Sequence, residues 1–233
     1  MKAISKIKSD ISHGVTGLVV AGIVFAMGSS AGAATITSFT DRATFNTAVG
    51  IPLTLETFNS FGVETSFNIT PLDVGDFTLS ILGTTPFNNK NFIDIPPPQI
   101  SQFDVDGSTI ANVTTTDTNS FEISFDSAIT AFGADFASFN DGSVRSEIIL
   151  AGETISPSVV GNLDVRFIGF ISDTPFLTVR FDSVGGVRDG YGLDNVSFGS
   201  SVSPVPLAAA LPLFGAGLAV MSLVGWRKKN QSA

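Results

Sequence analysis

Asp189, Asp194 and Asn195 fall within one seven-residue stretch, Asp189-Gly-Tyr-Gly-Leu-Asp-Asn195, around Gly190 and Gly192. Hard oxygen ligands on a glycine-rich turn suit Ca²⁺, which takes about six to eight oxygens and accepts backbone carbonyls where side chains leave positions open. These residues predict a structural calcium site, with no base beside it to make the ion catalytic. The same residue types are also ordinary turn formers, and their spacing is not that of an EF-hand loop, so a plain turn is the competing reading.

Other chemistries lack their parts. The chain has no Cys, and its one His, His13, lies near the N terminus in a segment read below as a leader. Neither a Ser-His-Asp or Cys-His nucleophile nor a Cys/His zinc site can be assembled from the rest. Carboxylates remain, and a pair about 5 to 9 Å apart across a cleft hydrolyses glycosidic bonds. Glu56, Glu64, Glu122, Glu147 and Glu153 are the candidates, but Glu122 and Glu147 occupy solvent-facing positions of alternating strands. With 20 acidic residues between Ala34 and Ser201, some close pairs arise by chance. No enzymatic activity is expected.

The same 34–201 segment has only six basic residues, a net charge of −14. Such a field repels phosphate backbones, so nucleic acid is excluded as a partner. Its 168 residues suffice for one domain with its own core. Without cysteine, that core must hold the fold unaided.

Within the domain, 36–40 reads as a strand and 41–49 as one short helix capped by Thr40 or Asp41, with Phe45 and Ala48 or Val49 facing a sheet. Short runs rich in Phe, Thr, Leu and Ile follow at 53–58, 65–69 and 77–82. Residues 84–107 contain Pro96-Pro97-Pro98 and read as a surface excursion with a small strand at 91–95. Phe121, Ile123 and Phe125 alternate with Glu122 and Ser124, the period of a half-buried strand. Further strands are predicted at 129–136, 145–150, 165–170, 177–182 and 191–199, with a hairpin at Asn140-Asp141-Gly142. The predicted fold is all-β, an antiparallel two-sheet sandwich of jelly-roll type with one short N-terminal helix.

Both termini read as targeting segments. Lys2, Lys6 and Lys8 precede an apolar run from Val15 to Met27 and an Ala31-Gly32-Ala33 site, the pattern of a secretory signal peptide over 1–33. At the other end, 202–233 combines Val205-Pro206-Leu207, a 20-residue uncharged stretch at 207–226 and the basic cluster Arg227-Lys228-Lys229. At about 1.5 Å per residue the stretch spans the roughly 30 Å hydrocarbon core, which predicts a transmembrane helix with its basic end on the cytoplasmic side.

In motif, apolar helix and basic end, this tail resembles the PEP-CTERM sorting signal in its VPLPA variant, departing from VPLPAALPL only at Ala208. The resemblance implies an exosortase-type processing enzyme as partner, membrane anchoring before processing, and a final location at the cell surface or outside the cell. Phe167 to Phe176 and Asp189 to Phe198 look like the closing strands of jelly-roll domains found in PEP-CTERM cargo and in lectin-like carbohydrate-binding proteins. Two functions follow from the likeness. One is a structural or interaction protein of an extracellular polysaccharide layer or biofilm, and the other a glycan-binding module. Exposed rings on one sheet would favour the module, and a face of Ser, Thr and Asn the matrix protein. Outside the predicted span, Tyr191 is the only Trp or Tyr in the chain.

Overall fold

The computed structural model describes residues 33–83, 90–99, 101–141, 145–157, 160–185 and 188–200. The leader ahead of residue 33, the Val205-Pro206-Leu207 motif, the 207–226 stretch and the Arg227-Lys228-Lys229 cluster lie outside the described residues. Among the described residues no helix is long and apolar enough to cross a membrane.

Strand β1 (Ile36–Phe39) leads into helix α1 (Arg42–Val49). Asp41 caps the helix, its carboxylate accepting the Thr44 N–H at 2.7 Å, and Gly50 ends it in the left-handed region at φ 72°. Phe45 and Val49, one turn apart, are buried, whereas Ala48 is exposed.

The remaining described elements are strands, apart from one 3₁₀ turn at Ser101–Phe103. They are β2 (Thr54–Glu56), β3 (Thr65–Ser66), β4 (Leu72–Asp73), β5 (Phe77–Gly83), β6 (Phe92–Asp94), β7 (Ile110–Thr115), β8 (Asn119–Ala137), β9 (Arg145–Leu150), β10 (Glu153–Ile155), β11 (Val165–Val184) and β12 (Asp189–Gly199). Every pairing among the named strands is antiparallel, and together they form a single 12-stranded sheet.

This sheet becomes sandwich-like because its two longest strands turn a corner. The first part of β8 pairs with β5 and the end of β11; its later part pairs with β12 and the start of β11. The corners are the exposed segments Asp126–Ala128 and Asp173–Pro175, and the β8–β11 register shifts between Ile171 and Phe176. The runs predicted separately at 121–125 and 129–136 are thus one strand, as are those at 165–170 and 177–182. Polar residues and proline at the corners imitate turn punctuation, although the ladder continues through them.

Two further expectations are corrected. The Asn140-Asp141 turn does not make a hairpin, because β11 lies between β8 and β9 and pairs with both. Asn140, at φ 59°, instead steers the crossing: its side-chain oxygen accepts the Ser146 N–H and its amide donates to the Ser146 carbonyl at 3.1 Å. The 84–107 segment is also not all surface, since β6 joins the sheet with Phe92, Ile93 and Asp94 buried, and Phe103 is buried too.

Phenylalanine fills the space between the two parts of the sheet. Phe121, Ile123, Phe125, Val179 and Phe181 all face inward as their alternation predicts. The Phe125 and Phe198 ring centroids lie 5.0 Å apart, and Phe139 meets Tyr191 edge-on at 4.8 Å and 90°. A smaller cluster of Phe45, Val49, Ala131 and Phe167 seats α1 against β8 and β11. Gly133 and Gly169 are cross-strand partners there, and a Cβ on either would come within 2.5 or 2.7 Å of the Phe167 ring. The pair is glycine so that the ring can lie across the sheet.

Phe125→Asp would bury a carboxylate without a partner in the main core, at a cost on the order of several kcal/mol. Thermal melting should drop sharply or vanish; a melt like that of the parent would overturn the inward placement of Phe125.

Candidate functional site

Strand β12 positions all three predicted calcium ligands, and its pleat separates them. Asp189, Tyr191 and Leu193 face the core side, opposite Thr115, Val113 and Ala111 of β7. Gly190, Gly192 and Asp194 face the other way. Five residues at about 3.4 Å each also place Asp189 roughly 17 Å along the strand from Asp194. The three residues therefore do not form one ligand set. Among the described residues no group of three or more His, Cys, Asp or Glu is arranged to hold a metal ion.

Asn195 explains the Asp194-Asn195-Val196 sequence in a different way. Asp194 pairs with Asp135 and Ser197 with Gly133, so β12 carries one residue more than β8 across this interval. That extra residue makes a β-bulge, with Asn195 at φ 53°. Asn tolerates the left-handed region better than most residues. The bulge reverses the inside–outside phase, so that Val196 and Phe198 reach the same core as Leu193.

Around the bulge, Asp194 is fully buried. Its carboxylate accepts the Asn195 N–H at 2.6 Å and the Ser108 hydroxyl at 3.0 Å. The Asn195 amide donates to Asp135 at 3.1 Å and to Asp106 at 3.4 Å. Arg42, from the first turn of α1, pairs with Asp135 at 3.0 Å, donates to the Asn195 carbonyl at 2.8 Å, and lies 4.6 Å over the Phe167 ring. Burial raises the Asp194 carboxyl to about 7, with the charges of Asp106 and Asp135 adding to the effect. Asp189, held by the Ser146 hydroxyl at 2.6 Å and the Asn140 N–H at 3.2 Å, is likewise raised by burial to about 6. Both groups have hydrogen-bonding roles inside the fold.

A second polar region was not legible in the sequence. Ser66, Phe92, Asn112 and Gly192 occupy one register line across β3, β6, β7 and β12, on the face turned away from the main core. A Cβ at Gly192 would lie 1.9 Å from the Phe103 carbonyl oxygen, so glycine is what lets the 3₁₀ turn settle on this face. At the other end of the line a cleft of about 450 Å³ opens, lined by Glu64, Ser66, Phe92 and Gln99.

Gln99 follows the proline triplet and ties the cleft together. Its side-chain amide donates to Glu64, and its backbone N–H donates to Asp94 at 2.9 Å. The other Asp94 oxygen and the Asn112 amide are buried beside one another. Burial raises the Asp94 carboxyl above its ordinary range; the Gln99 N–H opposes that, the charge of Glu64 adds to it, and a hydrogen bond with the Asn112 side chain opposes it again. Glu64 had been singled out only as one carboxylate among five. The buried amide of Asn112 had no sequence signal beyond its place in an Asn-x-Thr triplet.

The chain matches no protein-family model and no curated protein. What the geometry supports chemically is hydrogen bonding by buried and half-buried polar groups. Every described phenylalanine is buried or, for Phe39 and Phe61, half-buried, so no ring platform is exposed among the described residues.

The raised acids set a pH dependence. With folded values near 7 and 6 against an ordinary 3.8, Asp194 and Asp189 hold protons in the folded state that the unfolded chain has already released. Their contribution is intact below about pH 4 and is lost as pH rises to about 7. Asp41, Asp106 and Asp173, lowered chiefly by hydrogen bonds, act oppositely, losing stability as pH falls below their ordinary range. The melting temperature should therefore fall between pH 5 and pH 8, and Asp194→Asn should flatten that slope. An equal slope in the variant would show that Asp194 does not carry it.

Proposed function

We propose that the protein is an exported cell-surface or extracellular-matrix protein, processed through its C-terminal signal by an exosortase-type enzyme. Its β domain, read here as a jelly roll, serves as a structural or interaction unit in an extracellular polysaccharide layer. The observation that carries this reading is the uninterrupted order of Val205-Pro206-Leu207, apolar stretch and Arg227-Lys228-Lys229. In support, β12 completes its pairing at Gly199, so the motif follows the finished domain within a few residues. A membrane-bound processing enzyme could reach the motif without unfolding the sheet.

The outer face of the sheet around β5, β8 and β11 fits a matrix role. Register places Thr78, Ser124 and Thr178 on one line across it, and Ser80, Glu122 and Arg180 on the next. Leu82, Ser120 and Asp182 form a third, beside Glu147 of β9. Hydroxyls and alternating charges dominate, which suits hydrated contact with a polymer more than stacking on a flat sugar chain.

The intact mass of protein recovered outside the cell should lack residues 213–233 and the leader. Mature material that retains Arg227-Lys228-Lys229 would overturn processing and leave a simple membrane anchor.

A further inference from the structure

The cleft beside β3 and β6 has features that the matrix reading does not use. Its rim offers a carboxylate at Glu64, an amide at Gln99 and a hydroxyl at Ser66, with the Phe92 ring contributing an apolar wall. Behind Phe92 on the same sheet face, the buried Asp94 carboxylate and Asn112 amide stand beside one another and support the floor of the cleft. Glu64 as acceptor and Gln99 as donor, side by side with an apolar wall, match vicinal hydroxyls on a ring whose C–H groups need an apolar neighbour.

Charge narrows the ligand further. One carboxylate, Glu64, stands at the cleft, and no cation is among its described lining residues. Phosphate, sulfate and uronate groups would be repelled. The volume of about 450 Å³ lies within the range of small-ligand sites.

We propose that the cleft formed by Glu64, Ser66, Phe92 and Gln99 binds a neutral saccharide unit through its hydroxyl groups. In the free protein the Gln99 amide and Glu64 satisfy each other. A sugar hydroxyl entering between them accepts from Gln99 and donates to Glu64, while a neighbouring hydroxyl meets the Ser66 hydroxyl on the rim. Recognition runs through hydrogen bonds in a cleft, which is why it requires no exposed Trp or Tyr. The inference rests on the matrix reading only for the source of the sugar, an extracellular polymer.

The test is saturation-transfer NMR and titration of the full-length chain in detergent. The probes are cellohexaose, mannohexaose, xylohexaose and laminarihexaose, with an oligogalacturonate as the charged counterpart. At least one neutral oligosaccharide should bind at millimolar concentration, and oligogalacturonate should not. Gln99→Ala and Glu64→Ala, both at exposed positions, should weaken binding roughly tenfold each, the scale of one or two lost hydrogen bonds, without lowering the melting temperature. Thr178→Ala, on the opposite outer face, should bind like the parent. Absence of binding to all four neutral probes, a preference for oligogalacturonate, or unchanged affinity in both cleft variants would overturn the proposal. Loss limited to Thr178→Ala would overturn it too, moving any sugar contact to the other face. Retention of the C-terminal tail in the exported protein would overturn processing alone and leave the cleft result standing.

Discussion

The antiparallel pairing of β8 with β11 is the constraint on which the rest of the structure depends. The two strands run together through both parts of the sheet and bend together at Asp126–Ala128 and Asp173–Pro175. Because each contributes inward residues on both sides of the bend, Phe121, Phe125, Phe132 and Phe136 on β8 and Phe170, Phe176 and Phe181 on β11 close one core from two directions. A chain without disulfides depends on that apolar burial, and aromatic side chains supply much area per residue without needing a hydrogen-bond partner. The other strands add to edges that this pair creates: β5 and β9 on one side of the bend, β12 and β1 on the other.

The polar groups occupy places where the same architecture meets irregular backbone. The β12 bulge at Asn195 leaves a peptide group and three carboxylates, from Asp106, Asp135 and Asp194, near one another. Arg42 neutralises Asp135 and reaches the Asn195 carbonyl, so α1 is tied to the sheet by an ion pair as well as by Phe45. Asp194 lacks a direct cationic partner and is accommodated by hydrogen bonds and by a strong tendency to stay protonated. A buried carboxylate costs the fold more than it contributes when ionised. That makes the bulge a tuned site of the fold, and its acidity a consequence of packing.

The cleft and the hydroxyl-rich sheet face lie on different outer surfaces of the domain, because residues two apart on a strand share a face and partners across the ladder extend it. Glu64, Ser66 and Phe92 share one such surface with Asn112; Thr78, Ser124 and Thr178 share the other. The two surfaces give the matrix reading two separable kinds of contact, a shaped cleft and a broad hydrated face. Both are composed of residues that the core does not need.

Much of the local structure was legible in the chain. A cap at Thr40 or Asp41, an inward Phe45 with Ala48 or Val49, and the alternation at Phe121, Ile123 and Phe125 follow from side-chain chemistry within a few residues, and the structure takes Asp41 and Val49 from those alternatives. Pairing was not legible. Nothing near Asn140 says that β11 will insert between β8 and β9, and nothing at the corner residues distinguishes a bend from a stop. Those outcomes are chosen by which faces bury the most ring area across more than a hundred residues. The site followed the same rule: Asp189 and Asp194, close in sequence, were parted by the pleat, while Glu64, Phe92, Gln99 and Asn112, distant in sequence, were joined by the ladder. Sequence by itself determined the short helix and the inward faces of the alternating strands, because those depend on local periodicity, whereas β7, which has no such alternation, went unread. Only the tertiary structure decided which polar groups meet, because strand partners are set by the packing of the whole core.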